Sequence, residues 1–259
     1  VSEDPYPFES DDDIEIRELD LESVDAVADA RITIGELAGE NESWRYGHVI
    51  VDEAQDLTPM QWRMVMRRVR GRSLTIVGDL AQRSAAAAST WEELLPPELA
   101  DARRQDLTVN YRSPAEIHAL AIAVLAEFAP GVAPSRAIRT SGWEPEFLPV
   151  DTIADSLDGS IDTMLDAVGG LVAVISAAPA DLSSMHHRHE TDDDNSRVRF
   201  LTPDESKGLE FDGVILVEPG AIIAGAAGAA RLYIALTRAT QRLAVIHERA
   251  LPAVLTNAL

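Results

Sequence analysis

Short, continuous apolar runs that end on a polar or charged residue recur along this 259-residue chain, each followed by a turn and usually by a helix-forming stretch. A run that stays apolar, rather than alternating, has to be buried on both faces. A parallel sheet between two helix layers provides that burial. "GHVIVDE" (47–53), "SLTIVGD" (73–79), "DLTVNYR" (106–112), "EFLPV" (146–150), "GLVAVIS" (170–176), "VRFLT" (198–202), "GVILVEP" (213–219) and "RLAVIHE" (242–248) are such runs. Between them, 57–69 predicts a helix with Thr58 as N-cap and Pro59 in the first helical position. "STWEELLP" opens a short helix with Ser89 and Glu92 at capping-box spacing, and 113–128 carries Ser113 and Glu116 at the same spacing. Further helices are predicted near 20–30, 151–168 and 226–240. The fold class is therefore α/β, and the strands are too many for one small sheet. Two lobes are expected, joining near 100–108. In such sheets ligands sit at the carboxyl ends of strands, where Asp52, Asp79, Asn110 and Thr202 fall.

Charge narrows the partners. The formal net charge is −22, against the basic stripe usual in a nucleic-acid binder, and it suits a protein partner with a basic surface. "RMVMRRVRGR" (63–72) is the best local basic strip, and its plain reading is the solvated face of one helix. The chain has no cysteine, which fits a reducing, cytoplasmic setting and excludes disulfides and thiolate metal sites. No apolar run approaches the roughly 20 residues that span a bilayer. "VSEDPYPFES" lacks a Met and reads as a cut end, so the chain is expected to be a fragment. Residues 1–13 read as an acidic lead-in, and "SSMHHRHETDDDNS" (183–196) as a flexible loop rather than a metal site.

An acidic pair at a strand end is weak evidence of chemistry by itself. The ordered set is stronger: "VDEAQD" (51–56), "VGDLAQR" (77–83), "VNYRS" (109–113), "SKGLEFD" (206–212) and "LYIALTRA" (232–239). In that order they resemble motifs II to VI of the UvrD/Rep-like superfamily 1 helicases, over about 47–248. The resemblance implies two RecA-like (P-loop NTPase) lobes, the first incomplete: 1–46 a lead-in with a helical remnant, 47–105 the end of the first lobe, 106–259 the second. It implies ATP and Mg²⁺ as cofactors, with Asp52 as the Mg²⁺ carboxylate and Glu53 as the base that activates water. Gln82 matches the residue that senses the γ-phosphate, and Arg112 and Arg238 match the two arginine fingers. Tyr111 matches the aromatic that stacks on adenine, and Glu210 the acid near the nucleotide sugar. Gln55 and Asp56 are expected to join the strand end to neighbouring motifs.

No stretch reads G-x-x-x-x-G-K-[ST], and the one lysine, Lys207, lies inside motif V. The resemblance places that phosphate cradle upstream in the same protein, so the fragment alone is expected to be inactive. Three departures bear on the substrate. Gln82 is followed by "RSAAAAS", with no ring to stack on bases. The position three before Lys207 commonly holds His and here holds Asp204, whose carboxylate repels phosphate. Only 84 residues separate Ser113 from Val198, too few for a large inserted subdomain. These features look most like the HelD/HelR-type ATPases, which bind and release bacterial RNA polymerase. That resemblance implies RNA polymerase as partner, with a DNA translocase of the UvrD/Rep type as the alternative.

Overall fold

A computed structural model describes residues 45–83, 90–182, 196–225 and 227–258. The lead-in and helix predicted within 1–44, Ser89, and most of the 183–196 loop lie outside them. Tyr46–Leu259 form one compact unit, which holds all the strands and helices of the described residues.

The strands are β1 (Val49–Val51), β2 (Leu74–Ile76), β3 (Val109–Asn110), β4 (Arg136–Ala137), β5 (Glu146–Pro149), β6 (Val172–Ile175), β7 (Val198–Leu201), β8 (Phe211–Val217) and β9 (Ala239–His247). The helices are α1 (Pro59–Arg68), α2 (Trp91–Leu94), α3 (Ala115–Phe128), α4 (Ile153–Ala167), α5 (Pro219–Ile223), α6 (Gly228–Leu236) and α7 (Ala253–Thr256). All strand pairs are parallel: β1 with β2, β3 with β4, and a five-stranded sheet in the order β5-β9-β8-β6-β7. The architecture is mixed α/β with parallel sheets, as the apolar runs require.

The continuous runs are buried for the expected reason. Val172, Ala173, Val174 and Ile175 of β6 are all 0% exposed, because β6 is flanked by β7 and β8 and covered on both faces. Ala173 and Ile175 pack into one core with α3, α6 and α7; Val172 and Val174 pack into another with Leu157, Ile161 and Met164 of α4. Each such aliphatic side chain contributes roughly 1.5–3 kcal/mol on burial. A third, smaller core joins Val51, Ala54, Trp62 and Leu99 under β1 and β2. Ala81 follows β2 in sequence yet packs with the α3–α6 core.

Local signals succeed at α1 and fail at two other helices. Thr58 caps α1 in a full capping box with Gln61, Pro59 at the first position. At α2 the cap is Thr90, accepting from the Glu93 amide at 3.3 Å, one residue later than the Ser89–Glu92 pair. At α3 the predicted Ser113–Glu116 box is absent: Pro114 is the N-cap, with no side-chain bond. The Glu116 carboxylate is occupied elsewhere, accepting from the backbone N–H of Ser141 and of Gly142 at 3.0–3.2 Å. Two chain amides 25 and 26 residues away outcompete the local one.

That contact has a pH signature. Partial burial pushes the Glu116 carboxyl up, but the amides of Glu116, Ser141 and Gly142 outweigh it, leaving it below the ordinary value of 4.5. A lowered folded value means stability that is complete above about 4.5 and lost as pH falls through the folded value. Glu116→Gln is expected to cost about 1–2 kcal/mol near neutral pH. The gap to wild type should close in acid, as urea denaturation at several pH values would reveal.

Candidate functional site

The strand ends gather the motif residues. Asp52 follows β1, is exposed, and accepts the Glu53 N–H at 2.8 Å, leaving its second oxygen without a hydrogen bond among the described residues. Glu53 adopts φ 49°, a left-handed conformation unusual for a residue with a Cβ. That turn sends the chain into a 3-10 segment, Ala54–Asp56. Gln55 is fully buried and bridges: its Nε2 donates to Glu53 Oε2 at 2.5 Å, and its Oε1 accepts the Asp79 N–H at 3.0 Å. Gly78 makes this approach feasible, since a Cβ there would stand 2.5 Å from Gln55 Oε1.

Asp79 holds the turn after β2. Its carboxylate accepts from Ala81 N–H and from Gln82 Nε2, both at 2.9 Å. The Gln82 Oε1 so oriented accepts from Arg238 Nη2 at 3.0 Å, across 156 residues of sequence. Arg238 is 1% exposed. Its other bonds run to Ile234 O, Leu209 O and Thr237 Oγ1, each at 3.1 Å. Burial holds its guanidinium below the ordinary arginine range, Arg112 adds to that, and Glu53, Glu210 and Tyr233 oppose it.

Arg112 pairs with Glu210 at 2.6 Å, both partly exposed. Asn110 sets the turn before it, accepting the N–H of Arg112 and of Ser113 at 2.9 and 3.2 Å. The buried His118 supports Asn110. Asn110 Nδ2 donates to His118 Nδ1, and His118 Nε2 then donates to Ser135 O, a pattern that requires the neutral ring. Arg139 grips the carbonyls of Tyr111, Arg112 and Thr240. Tyr111 itself is 75% exposed, so its ring is presented to solvent rather than packed in a core.

Asp56 pairs with Lys207 at 2.9 Å, which links the acid after β1 to the turn after β7, as expected of Gln55 and Asp56. Asp204 differs from expectation: Arg231 Nη2 lies 2.7 Å from its carboxylate, so its charge is countered and its repulsion of phosphate weakened. Sequence reasoning did not single out Thr237, His118, Arg139 or Arg231. Thr237 acts on its own helix end, whereas His118, Arg139 and Arg231 bond to groups 8 or more residues away, and spacing does not announce those contacts.

The donor set is of the kind a magnesium nucleotide needs. Asp52 offers a hard oxygen ligand, and no cluster of three or more His, Cys, Asp or Glu that could hold a metal occurs among the described residues. One carboxylate is compatible with Mg²⁺, which takes one or two and completes its shell with water and phosphate oxygens. Arg112 is engaged by Glu210, and Arg238 is buried with its guanidinium bonded to Gln82 and to three groups around it. Lys207 is engaged by Asp56 and provides no phosphate cradle.

Residues 24–83 match the family model of the UvrD/REP helicase N-terminal domain. The matched stretch contains Asp52, Glu53, Gln55, Asp79 and Gln82, and supports a UvrD-like helicase relationship. The C-terminal domain of a possible DNA helicase from Lactobacillus plantarum WCFS1 is similar at 18% identity, over 58% of this chain and 94% of its own, with TM-score 0.44. Arterivirus nonstructural protein 10, a helicase, is similar at 18% identity over 84% of this chain and 42% of its own, with TM-score 0.43. Its complex with DNA gives 20% identity over 77% and 39%, with TM-score 0.43. The chain thus spans less than half of that viral helicase. No curated protein matches the sequence. No helix among the described residues is long and apolar enough to cross a membrane.

Proposed function

We propose that this chain carries motifs II to VI of a UvrD-like, ATP-hydrolysing motor. Residues 47–105 end its first RecA-like lobe and 106–259 form the second. The observation that supports this most is the continuous bonded path from Glu53 through Gln55, Asp79 and Gln82 to Arg238. A group that reports on a reacting phosphate has to be connected to the other lobe, and Gln82 is bonded on both sides.

In this reading, Asp52 would hold Mg²⁺ through the carboxylate oxygen that does not accept the Glu53 N–H. Glu53 Oε1 takes a proton from water while Gln55 holds Oε2. Arg112, once released from Glu210, and the buried Arg238 would answer the phosphate charge, with Glu210 serving the sugar and Tyr111 the base. Bound Mg·ATP would supply the electrophilic phosphoryl group. The phosphate cradle comes from outside these 259 residues.

The work is delivered to RNA polymerase, a protein partner that suits a chain of charge −22 with no aromatic between Arg83 and Ser89. A single-stranded DNA translocase is the second reading, favoured by the Arg231–Asp204 pair, which removes one repulsive charge from the motif V turn. The test uses the protein with its nucleotide cradle present. ATP turnover should be abolished by Glu53→Gln, and the protein should co-migrate with RNA polymerase core. Turnover that survives Glu53→Gln sinks the site assignment. Single-stranded DNA binding at moderate salt without polymerase binding sinks the partner.

A further inference from the structure

The turn that carries Tyr111 and Arg112 is fastened by a side chain outside the path from Glu53 to Arg238. Arg139 lies two residues beyond β4. Its backbone is docked there: Ile138 N–H donates to Asn110 O at 3.1 Å, and Ala115 N–H donates to Arg139 O at 2.8 Å. From that anchor the guanidinium donates to three carbonyls, those of Tyr111, Arg112 and Thr240. Two belong to the residues assigned above to the base and the phosphate. The third lies two residues after Arg238, at the start of β9 in the five-stranded sheet. One planar group thus ties the end of β3 to β9, across 101 residues of sequence.

The need for such a tie is electrostatic. Burial first, and Arg112 next, hold the Arg238 guanidinium below the ordinary arginine range; the part due to Arg112 is repulsion between two cations. Glu210 offsets that repulsion through its 2.6 Å pair with Arg112, a contact Arg112 gives up in order to reach phosphate. Packing holds the turn poorly, since Val109 is 48% exposed and Tyr111 75%. What then keeps Arg112 in place is bonding to its backbone: Asn110 Oδ1 accepts its N–H at 2.9 Å, and Arg139 donates to its carbonyl.

We propose that Arg139 is a positioning residue: it fixes where Arg112 stands relative to Arg238, and so aligns the two guanidinium groups on the phosphate without touching the nucleotide itself. This role rests on the nucleotide reading above. A guanidinium holds several acceptors in fixed relation from one plane, which an ammonium on a flexible stem does not. The three carbonyls are bonded at an exposed site, where water can replace the lost donor. Removing Arg139 should therefore loosen the turn and leave the fold in place.

The test is steady-state ATP turnover by the protein with its nucleotide cradle present. Arg139→Ala should lower kcat about tenfold or more and change KM less than about threefold, because a small misplacement of a group that acts in the transition state costs rate rather than binding. In an Arg112→Ala background the same change should cost less than about twofold, since the group it positions is gone. Arg139→Lys should fall between wild type and Arg139→Ala, and it carries the same comparison should Arg139→Ala not fold. Three results would overturn the proposal: wild-type turnover in Arg139→Ala; a loss that multiplies in full on top of Arg112→Ala, as a purely structural staple would give; or an unchanged kcat with a raised KM, which would make Arg139 a binding group. Failure of the nucleotide reading looks different. Arg112→Ala would then leave turnover unchanged, and the role of Arg139 would fall with it.

Discussion

Replacing Arg238 by Ala is expected to cost about 3–5 kcal/mol, the range for removing one partner from a buried charged network. The reason is the number of groups left behind. Gln82 Oε1 and the carbonyls of Ile234 and Leu209 lose a donor in a place where the residue is 1% exposed. A unit of this size shifts its Tm by about 2–4 °C per kcal/mol, so a fall of about 6–20 °C is expected in a thermal melt. Arg238→Lys should recover less than half of that. A lysine is a point charge and cannot reach three directions from one plane. A variant that melts with wild type would show that the guanidinium is not what holds Gln82 against α6.

Gly228→Ala is the second large effect, and its cause is steric. A Cβ at Gly228 would stand 2.0 Å from Ile223 O and 2.4–2.6 Å from two more backbone atoms of Ile223. Backbone cannot swing aside as a side chain can, so α5 or α6 has to move. Overpacking of this kind costs about 1–3 kcal/mol, and more where backbone is the obstacle. Because α6 carries Arg231 and leads into Arg238, its displacement should also disturb the contacts to Asp204 and Gln82. Gly159→Ala is the matched control. It lies inside α4 with nothing within 4 Å of the added Cβ, and should raise stability by up to about 1 kcal/mol. Urea midpoints for the two variants should move in opposite directions; movement the same way would refute the steric account.

What could be read in advance depended on range. β6, β8 and β9 were legible because a strand covered on both faces writes its burial into consecutive residues. β4 was not, since Arg136–Ala137 has no apolar run, and its two backbone pairings with β3 leave no trace in side-chain type. In "STWEE", both Ser89–Glu92 and Thr90–Glu93 satisfy the capping interval, and nothing local chooses between them. Glu116 misled for the opposite reason: its spacing was right, but loop amides distant in sequence claimed it. The same division runs through the candidate site. Asp52, Glu53, Gln82, Arg112, Glu210 and Arg238 were singled out as candidates by their order along the chain. That Glu210 holds Arg112, that Arg231 answers Asp204 and that Arg139 clamps the turn at Tyr111 and Arg112 are outcomes of folding, with no counterpart in spacing.

Lys207 is the one side-chain amine in the sequence, and it is tied to Asp56 with its side chain only 15% exposed. Amine-directed chemistry therefore meets a single side-chain address, and that address lies on a contact spanning 151 residues. An acyl or isotopic tag taken up there would register each parting of the turn after β7 from the acid after β1. The scarcity of lysine turns one ion pair into a clock for the opening of the fold at its proposed centre of action.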